Sequence, residues 1–438
     1  MRGTKTIVAA GIIVFFAFAW YTLFSNSTRL QKEYESCLAD ARQKMEMGIT
    51  KDATDQYMKA LSMYESLDLR LEIAEYYYKT GQYDNYDEWC HTLMAKYPRK
   101  KEGYEKMASY YQETEDYYEC YDILNAAAQR KLKSEQLSKI QQNIYYKYEL
   151  KKVSLEAYKI YSSGYYAVKK EEKNWGYCDA RGDNKIAYNY AEAQCFTSSG
   201  LAPVKSMDGE FYLIDKDGNK KYVDIEKKKI EECSPLSEDK MAVKIDGRYC
   251  YVDVNFKKQF GDYDYATAFN NGVAAVKEGQ NWFIINKNGE KIQEQAYQNV
   301  IIDEKQVAFR NSCAFVQIND TYRMINTKGE QVGDQAWEDA KLFLSDLPAC
   351  VKSQGRWGFV DANGQWVIKP SYLDAKPFTN GLAPVRTDSG WGYIDLEQKE
   401  QVIPCEFDDA GNFNDGGCAW VMKEGRWNML FLYRLNKR

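Results

Sequence analysis

Residues 378–407 read FTNGLAPVRTDSGWGYIDLEQKEQVIPCEF. Leu382 to Val385 form a short apolar run, Trp391 to Asp395 a second, and Val402, Ile403 and Pro404 a third, weaker one. Turn formers separate them, the pattern of short strands joined by tight bends. Residues 348–372, PACVKSQGRWGFVDANGQWVIKPSY, follow the same plan. Aligning the chain on the aromatic that opens the second run gives Trp175, Phe211, Tyr249, Trp282, Tyr322, Trp357, Trp391 and Trp427. These eight positions are nearly evenly spaced, so eight units fill residues 164–438. A sustained period in this range marks a repeat architecture, in which each unit buries its apolar face against the next.

Each unit has internal logic. Gly392 removes a side chain from one face of the second strand, leaving room for the preceding ring or a neighbouring strand. Asp or Asn ends that strand in seven units: Asp179, Asp215, Asp253, Asn286, Asn326, Asp361 and Asp395. Glycine follows shortly after in five of them (Gly182, Gly218, Gly289, Gly329 and Gly364), the spacing of an Asx turn closed by a residue at positive φ. Pro370 and Pro404 place the third strand at an edge, because proline cannot donate to a central ladder. The pairs Trp175-Gly176, Trp357-Gly358 and Trp391-Gly392 resemble the bacterial WG-repeat family, with Trp282 and Trp427 keeping only the ring. That resemblance implies a β-repeat interaction module and carries no catalytic residue to transfer. Eight units can close into a propeller or coil into an open β-solenoid. A propeller-like ring is preferred, because closure removes exposed edges.

Residues 28–162 have a different texture, rich in Glu, Lys, Ala, Leu and Tyr. Ala74, Tyr77, Gly81, Tyr83 and Tyr86 recur at one constant offset as Ala108, Tyr111, Glu115, Tyr117 and Cys120. One unit earlier they recur in part, as Ala41, Gly48 and Ala53. Each unit reads as a helix, a bend at Gly81 or its counterpart, and a second helix. Ala74 and Ala108 allow close helix approach while aromatics fill the grooves. This resembles divergent tetratricopeptide repeats, with a capping helix expected around Leu137 to Tyr161. The many tyrosines of the stretch read as interhelical packing, with an exposed peptide groove as the alternative.

Thr6 to Phe24 carry no charge, and a helix of that length spans roughly 28 Å, close to a bilayer core. Arg2 and Lys5 precede the stretch, Trp20 and Tyr21 sit near its far end, and no A-x-A site follows. An uncleaved membrane anchor over residues 1–25 is therefore expected, with a cytoplasmic N-terminus and extracytoplasmic repeats. The eleven cysteines are odd in number and include no C-x-x-C pair, and they read as free, small apolar residues. The fold class is accordingly multidomain α plus β: one transmembrane helix, a helical solenoid and an all-β array.

The chemistry points away from catalysis. With 59 basic and 64 acidic residues the net charge is −5, which argues against a nucleic-acid partner. One histidine, His91, leaves little for zinc sites or histidine-based catalysis. Asp215 to Asn219 resemble the start of a calcium loop, but glycine stands at position 4 rather than 6. Acid pairs such as Asp408-Asp409 sit in turn segments, and no phosphate or dinucleotide fingerprint occurs. No catalytic, metal, cofactor or small-molecule site is expected. The residues singled out, Trp175, Gly176, Trp282, Trp357, Gly358, Asp361, Trp391, Gly392, Asp395, Trp427, Ala74, Gly81 and Ala108, are structural motif positions. The function expected is a membrane-anchored scaffold that presents repeat surfaces to a protein or an envelope polymer. The alternative is glycan binding through exposed aromatics such as Trp366 and Trp420. A hydrolase cleft between units is a third, weaker reading.

Overall fold

The computed structural model describes residues 28–153, 155–170, 174–221 and 229–435. The chain divides into two compact units, one ending at Tyr145 and the other beginning at Tyr146.

The first unit shows seven helices among the described residues: α1 (28–46), α2 (Thr50–Met63), α3 (Leu67–Lys79), α4 (Tyr83–Lys96), α5 (Glu102–Glu113), α6 (Tyr117–Gln129) and α7 (Glu135–Ile144). Ser66, Asp116 and Ser134 accept backbone N–H bonds at the starts of α3, α6 and α7 and so fix where those helices begin. The bends joining α1 to α2, α3 to α4 and α5 to α6 hold Gly48, Gly81 and Glu115 at φ values of 71°, 71° and 58°. Glu115 adopts a left-handed conformation in which its Cβ is crowded. Ala74 and Ala108 are fully buried, as are Ala41, Ala53 and Ala60, so the helices approach closely along alanine. Tyr57 and Tyr76 fill the adjoining grooves at 1% exposure each.

Two expectations are corrected here. The helical texture ends at Ile144, not near residue 162, because Tyr148–Lys152 is a β-strand. The expectation of a single-pass membrane protein is also overturned. Among the described residues no helix is long and apolar enough to cross a membrane. The longest, α1, carries eight charged side chains between Arg29 and Glu46, far too many for a hydrocarbon core. Residues 6–24, on which that expectation was built, lie outside the described residues.

The second unit is a ring of eight antiparallel sheets, an eight-bladed β-propeller. Blade seven shows the plan: Asp374–Ala375, Leu382–Thr387, Gly390–Asp395 and Gln401–Phe407, paired in sequence order from the axis outward. The two-residue inner strand is an element that periodicity does not reveal, since two residues carry no alternation. Pro370 and Pro404 lie in outermost strands, where a missing donor faces no ladder. Blades four and five keep three strands, and isolated bridges such as Trp282 to Tyr297 and Tyr322 to Trp337 stand in for the fourth.

Closure uses both ends of the unit. Tyr148–Lys152 pairs antiparallel with Arg426–Leu432, from Tyr148 opposite Leu432 to Lys152 opposite Asn428. The eighth blade is therefore three C-terminal strands completed by one from the start of the unit. Eight apolar clusters fill the eight gaps between consecutive blades. The cluster at the seam joins Tyr166, Val168 and Cys178 of blade one to Cys418, Trp420 and Met429 of blade eight. An open array has one gap fewer than it has units, so eight filled gaps define a closed ring.

Hydrogen bonds reinforce the apolar seams. The buried hydroxyls of Tyr177, Tyr251 and Tyr393 each donate to a carbonyl of the following blade, at Gln194, Thr267 and Gly411, over 2.8 Å. Each stands two positions beyond the aromatic that opens its strand, which explains tyrosine in that slot. Tyr393→Phe is expected to cost about 1–2 kcal/mol, because it strips a buried carbonyl of its donor. Urea unfolding checks this, and an unchanged midpoint would refute the account. All eleven cysteines are free and buried, filling these seams and the helical core.

Candidate functional site

The structural motif positions form the blade framework. Asp361 accepts the backbone N–H groups of Asn363 and Gln365 at 2.9 and 2.8 Å, and Asp395 those of Glu397 and Gln398. Asp215, the start of the calcium-like sequence, does the same with Asp217 and Asn219 and pairs with Lys221 at 3.0 Å. The Asn219 N–H, Lys221 and the Asp217 N–H hold its carboxyl down at about 2, so its lone pairs already serve the turn. No cluster of three or more metal-ligating side chains occurs among the described residues.

The aromatic slot is nearly closed to solvent: Trp282, Trp357 and Trp391 are buried, while Trp175 and Trp427 are half-buried. Lys341 and Lys376 lie over the rings of Trp357 and Trp391 at 4.4 and 5.0 Å. The same ammonium groups reach the inner strand of the next blade, at Asp374 (2.5 Å) and Asp409 (2.8 Å). Tryptophan, lysine and the next blade's aspartate thus form one inter-blade clasp, in which a partly desolvated cation meets both a ring face and a carboxylate.

Gly176, Gly358 and Gly392 stand where the outer strand crosses. A Cβ on Gly392 would lie 2.6 Å from the Ile403 carbonyl oxygen and 2.7 Å from the Cys405 nitrogen. Gly176 and Gly358 are blocked in the same way by Ile186 and Ile368. The neighbouring strand, rather than the preceding ring, occupies the space.

Of these residues, only Lys376 borders the open space at the axis. That space is enclosed by the segments joining the first and second strands of the blades, and it holds two cavities of about 660 and 170 Å3. All eight blades contribute to one or both. Hydroxyl and amide side chains predominate, among them Ser162, Ser198, Ser345 and Asn380, with blade five supplying three of the six charged side chains.

Blade five differs from the rest. Its first two strands, Asn299–Val300 and Cys313–Ile318, are joined by residues 301–312, whereas the corresponding segment of blade seven, 376–381, is half as long. Asp303 shapes this longer segment: its Oδ1 accepts the N–H groups of Lys305 and Val307, and its Oδ2 takes Nε and Nη2 of Arg310 at 2.9 and 2.7 Å. Val307 bridges in parallel to Ala268 of blade four. Glu304 accepts the N–H of Ile160, in blade one, at 3.1 Å. Blades one and five face each other across a ring of eight, so the segment spans the axis. Burial raises the Glu304 carboxyl against the opposing pull of Lys376, the Ile160 N–H and Lys159. Burial, and then Arg310, lowers the Lys305 ammonium. The sequence holds one sign of this segment: the interval from Trp282 to Tyr322 is the longest between successive slot aromatics.

The glycan alternative meets an obstacle here. Trp420 is 1% exposed and locked in the seam against Tyr158 and Tyr166, so it is no surface platform. Trp366 is half-buried against the cluster between blades five and six. The exposed large apolar side chains of the described β unit are Met207, Val254 and Leu435, none of them aromatic.

The sequence pattern described as WG containing repeat matches residues 175–210, 261–282, 357–390 and 391–427, which supports the WG-repeat reading of these blades. No curated protein sequence matches the chain. Among solved structures, BamB from Moraxella catarrhalis is similar at 9% identity and TM-score 0.38, covering 66% of this chain and 95% of that one. The Kluyveromyces lactis Hsv2p structure is similar at 11% identity and TM-score 0.36, covering 63% and 96%. The WD40 domain of SCAP from fission yeast is similar at 8% identity and TM-score 0.36, covering 66% and 98%. The ring is defined by its own strand pairing, independently of these likenesses.

Proposed function

We propose that this chain is a non-enzymatic interaction scaffold whose ring offers its axial mouth to a protein partner. The observation that carries the proposal is the convergence of eight inter-strand segments on one polar, water-accessible space, whose larger cavity measures about 660 Å3. The recurring, structurally committed motif residues lie elsewhere, so the mouth is free to vary on a rigid frame. The helical unit, read as tetratricopeptide-like from its bends at Gly48, Gly81 and Glu115, is proposed to present a separate surface for a protein segment.

A benzophenone photocrosslinker tests the mouth. Placed at Asp415, which is exposed at the larger cavity, it is expected to capture a discrete protein when the full chain is irradiated in its native lysate. Placed at Lys369, exposed on an outermost strand, it is expected to capture none. Capture at Lys369 but not at Asp415 would move the interaction off the axis and defeat the proposal.

A further inference from the structure

Ser162, Thr197, Ser198, Lys305 and Arg310 line both axial cavities and so form the wall between them. Their hydrogen-bonding capacity is unevenly used. Arg310 is held by Asp303, and Thr197 by Ser199 at 2.9 Å. The Ser162 and Ser198 hydroxyls and the Lys305 ammonium meet no side-chain partner among the described residues. Three donors are thereby gathered at one wall, and one of them is a cation.

We infer that this wall binds a carboxylate of an acidic protein segment, with Lys305 as the counter-charge and Ser162 and Ser198 as flanking donors. The inference rests on the scaffold reading and names the chemistry its partner brings. Lys305 sits beside Arg310, whose own carboxylate is already committed, so the pair holds one positive charge in excess in a confined space. A docking carboxylate removes that repulsion and forms charge-assisted hydrogen bonds at the same time. The other charges facing the cavity do not supply it. Glu304 accepts the Ile160 N–H, with Lys376 and Lys159 as its cationic neighbours, and Asp303 and Asp415 attract Lys305 only from beyond ion-pair distance. Lys216, also at the rim, adds positive potential for approach. The cavity falls within the roughly 300–1,000 Å3 typical of binding pockets, room for a side chain with its flanking backbone rather than a lone ion.

The test uses the full chain and fluorescein-labelled hexaglutamate, followed by fluorescence anisotropy at low ionic strength. Saturable binding is expected, weakened about tenfold or more by Lys305→Met and retained by Lys305→Arg and by Lys369→Met. Ser198→Ala, an exposed and conservative change, is expected to weaken binding a few-fold, and it carries the test if Lys305→Met fails to fold. Hexaglutamine is expected not to bind. Absence of saturable hexaglutamate binding, equal binding of hexaglutamine, or an unchanged affinity in a folded Lys305→Met chain would each overturn the inference. Photocapture at Asp415 that persists alongside such a result would leave the scaffold reading standing and remove only the carboxylate.

Discussion

Trp420→Ala is expected to destabilise the propeller by about 3–5 kcal/mol, the range for deleting a large buried ring from a core that cannot collapse around the gap. The indole lies in the seam between the last and first blades, where its ring meets Tyr158 at 5.9 Å and Tyr166 at 5.8 Å. Strand ladders hold both walls of that seam, so neither relaxes freely into the cavity. Trp420→Phe separates volume from polarity. The Trp420 Nε1–H meets no acceptor among the described residues, and an unsatisfied buried donor costs about 1–3 kcal/mol. Phenylalanine loses some packing but removes that donor, so a net change within about 1 kcal/mol is expected. Because the chain has two units, amide hydrogen exchange is the appropriate measurement. In Trp420→Ala the amides of 148–152 and 426–432 should exchange faster than those of blades three to five. Uniform exchange in both variants would show that the seam is not where the ring opens.

Gly392→Ala is expected to cost about 2–3 kcal/mol by overpacking. The added methyl would press on Ile403, Pro404 and Cys405 backbone atoms, all within 2.7 Å of its position. These belong to a strand fixed by pairing at Phe407 and Ile403, so the strand must shift as a body. The same reasoning explains which units keep the glycine. Blades one, six and seven carry seven-residue outer strands, and they hold Gly176, Gly358 and Gly392. Blade two carries Tyr212, and its outer strand is described at Lys220–Lys221, while blades four and five have bridges and carry Phe283 and Arg323. Blade three places Cys250 in the slot and moves the glycine to the outer strand, at Gly261, whose own Cβ position lies 3.3 Å from the Cys250 Cα. Faster exchange confined to 401–407 in Gly392→Ala supports this account. Cooperative loss of the whole blade with no local effect would count against it.

The blade plan is legible in the sequence because it repeats. The aromatic slot, the Asx turns and the edge prolines are local devices set by backbone geometry, and each leaves a residue at a fixed offset. The inner strand is not legible, because Asp374–Ala375 is too short to alternate. Its aspartate becomes meaningful only beside Lys341, from the previous blade. The axial residues stay hidden for the opposite reason. Lys305 and Ser198 occupy segments that vary from unit to unit, so self-comparison discards them, and only the long interval from Trp282 to Tyr322 hints at blade five. The strand Tyr148–Lys152 reads locally as part of a helical cap because its partner lies at the far end of the chain, beyond any local pattern. Trp420 reads as a surface ring, yet alternation along a propeller strand runs between two buried faces rather than between core and water.

The stitched final blade has a temporal consequence. Tyr148 pairs with Leu432, so the strand that opens the ring waits for one made about 280 residues later. At about 5–20 residues per second, that wait lasts on the order of 15–60 s. Throughout it, the nascent ring is a curved, unfinished fan with an unpaired edge at one end and a waiting strand at the other. A ribosome that stalls before residue 426 releases a fan that nothing can fasten, with the apolar seam around Tyr166 and Cys178 laid bare. Synthesis of residues 426–432 thus acts as a mechanical latch, pairing the one edge that until then stays open.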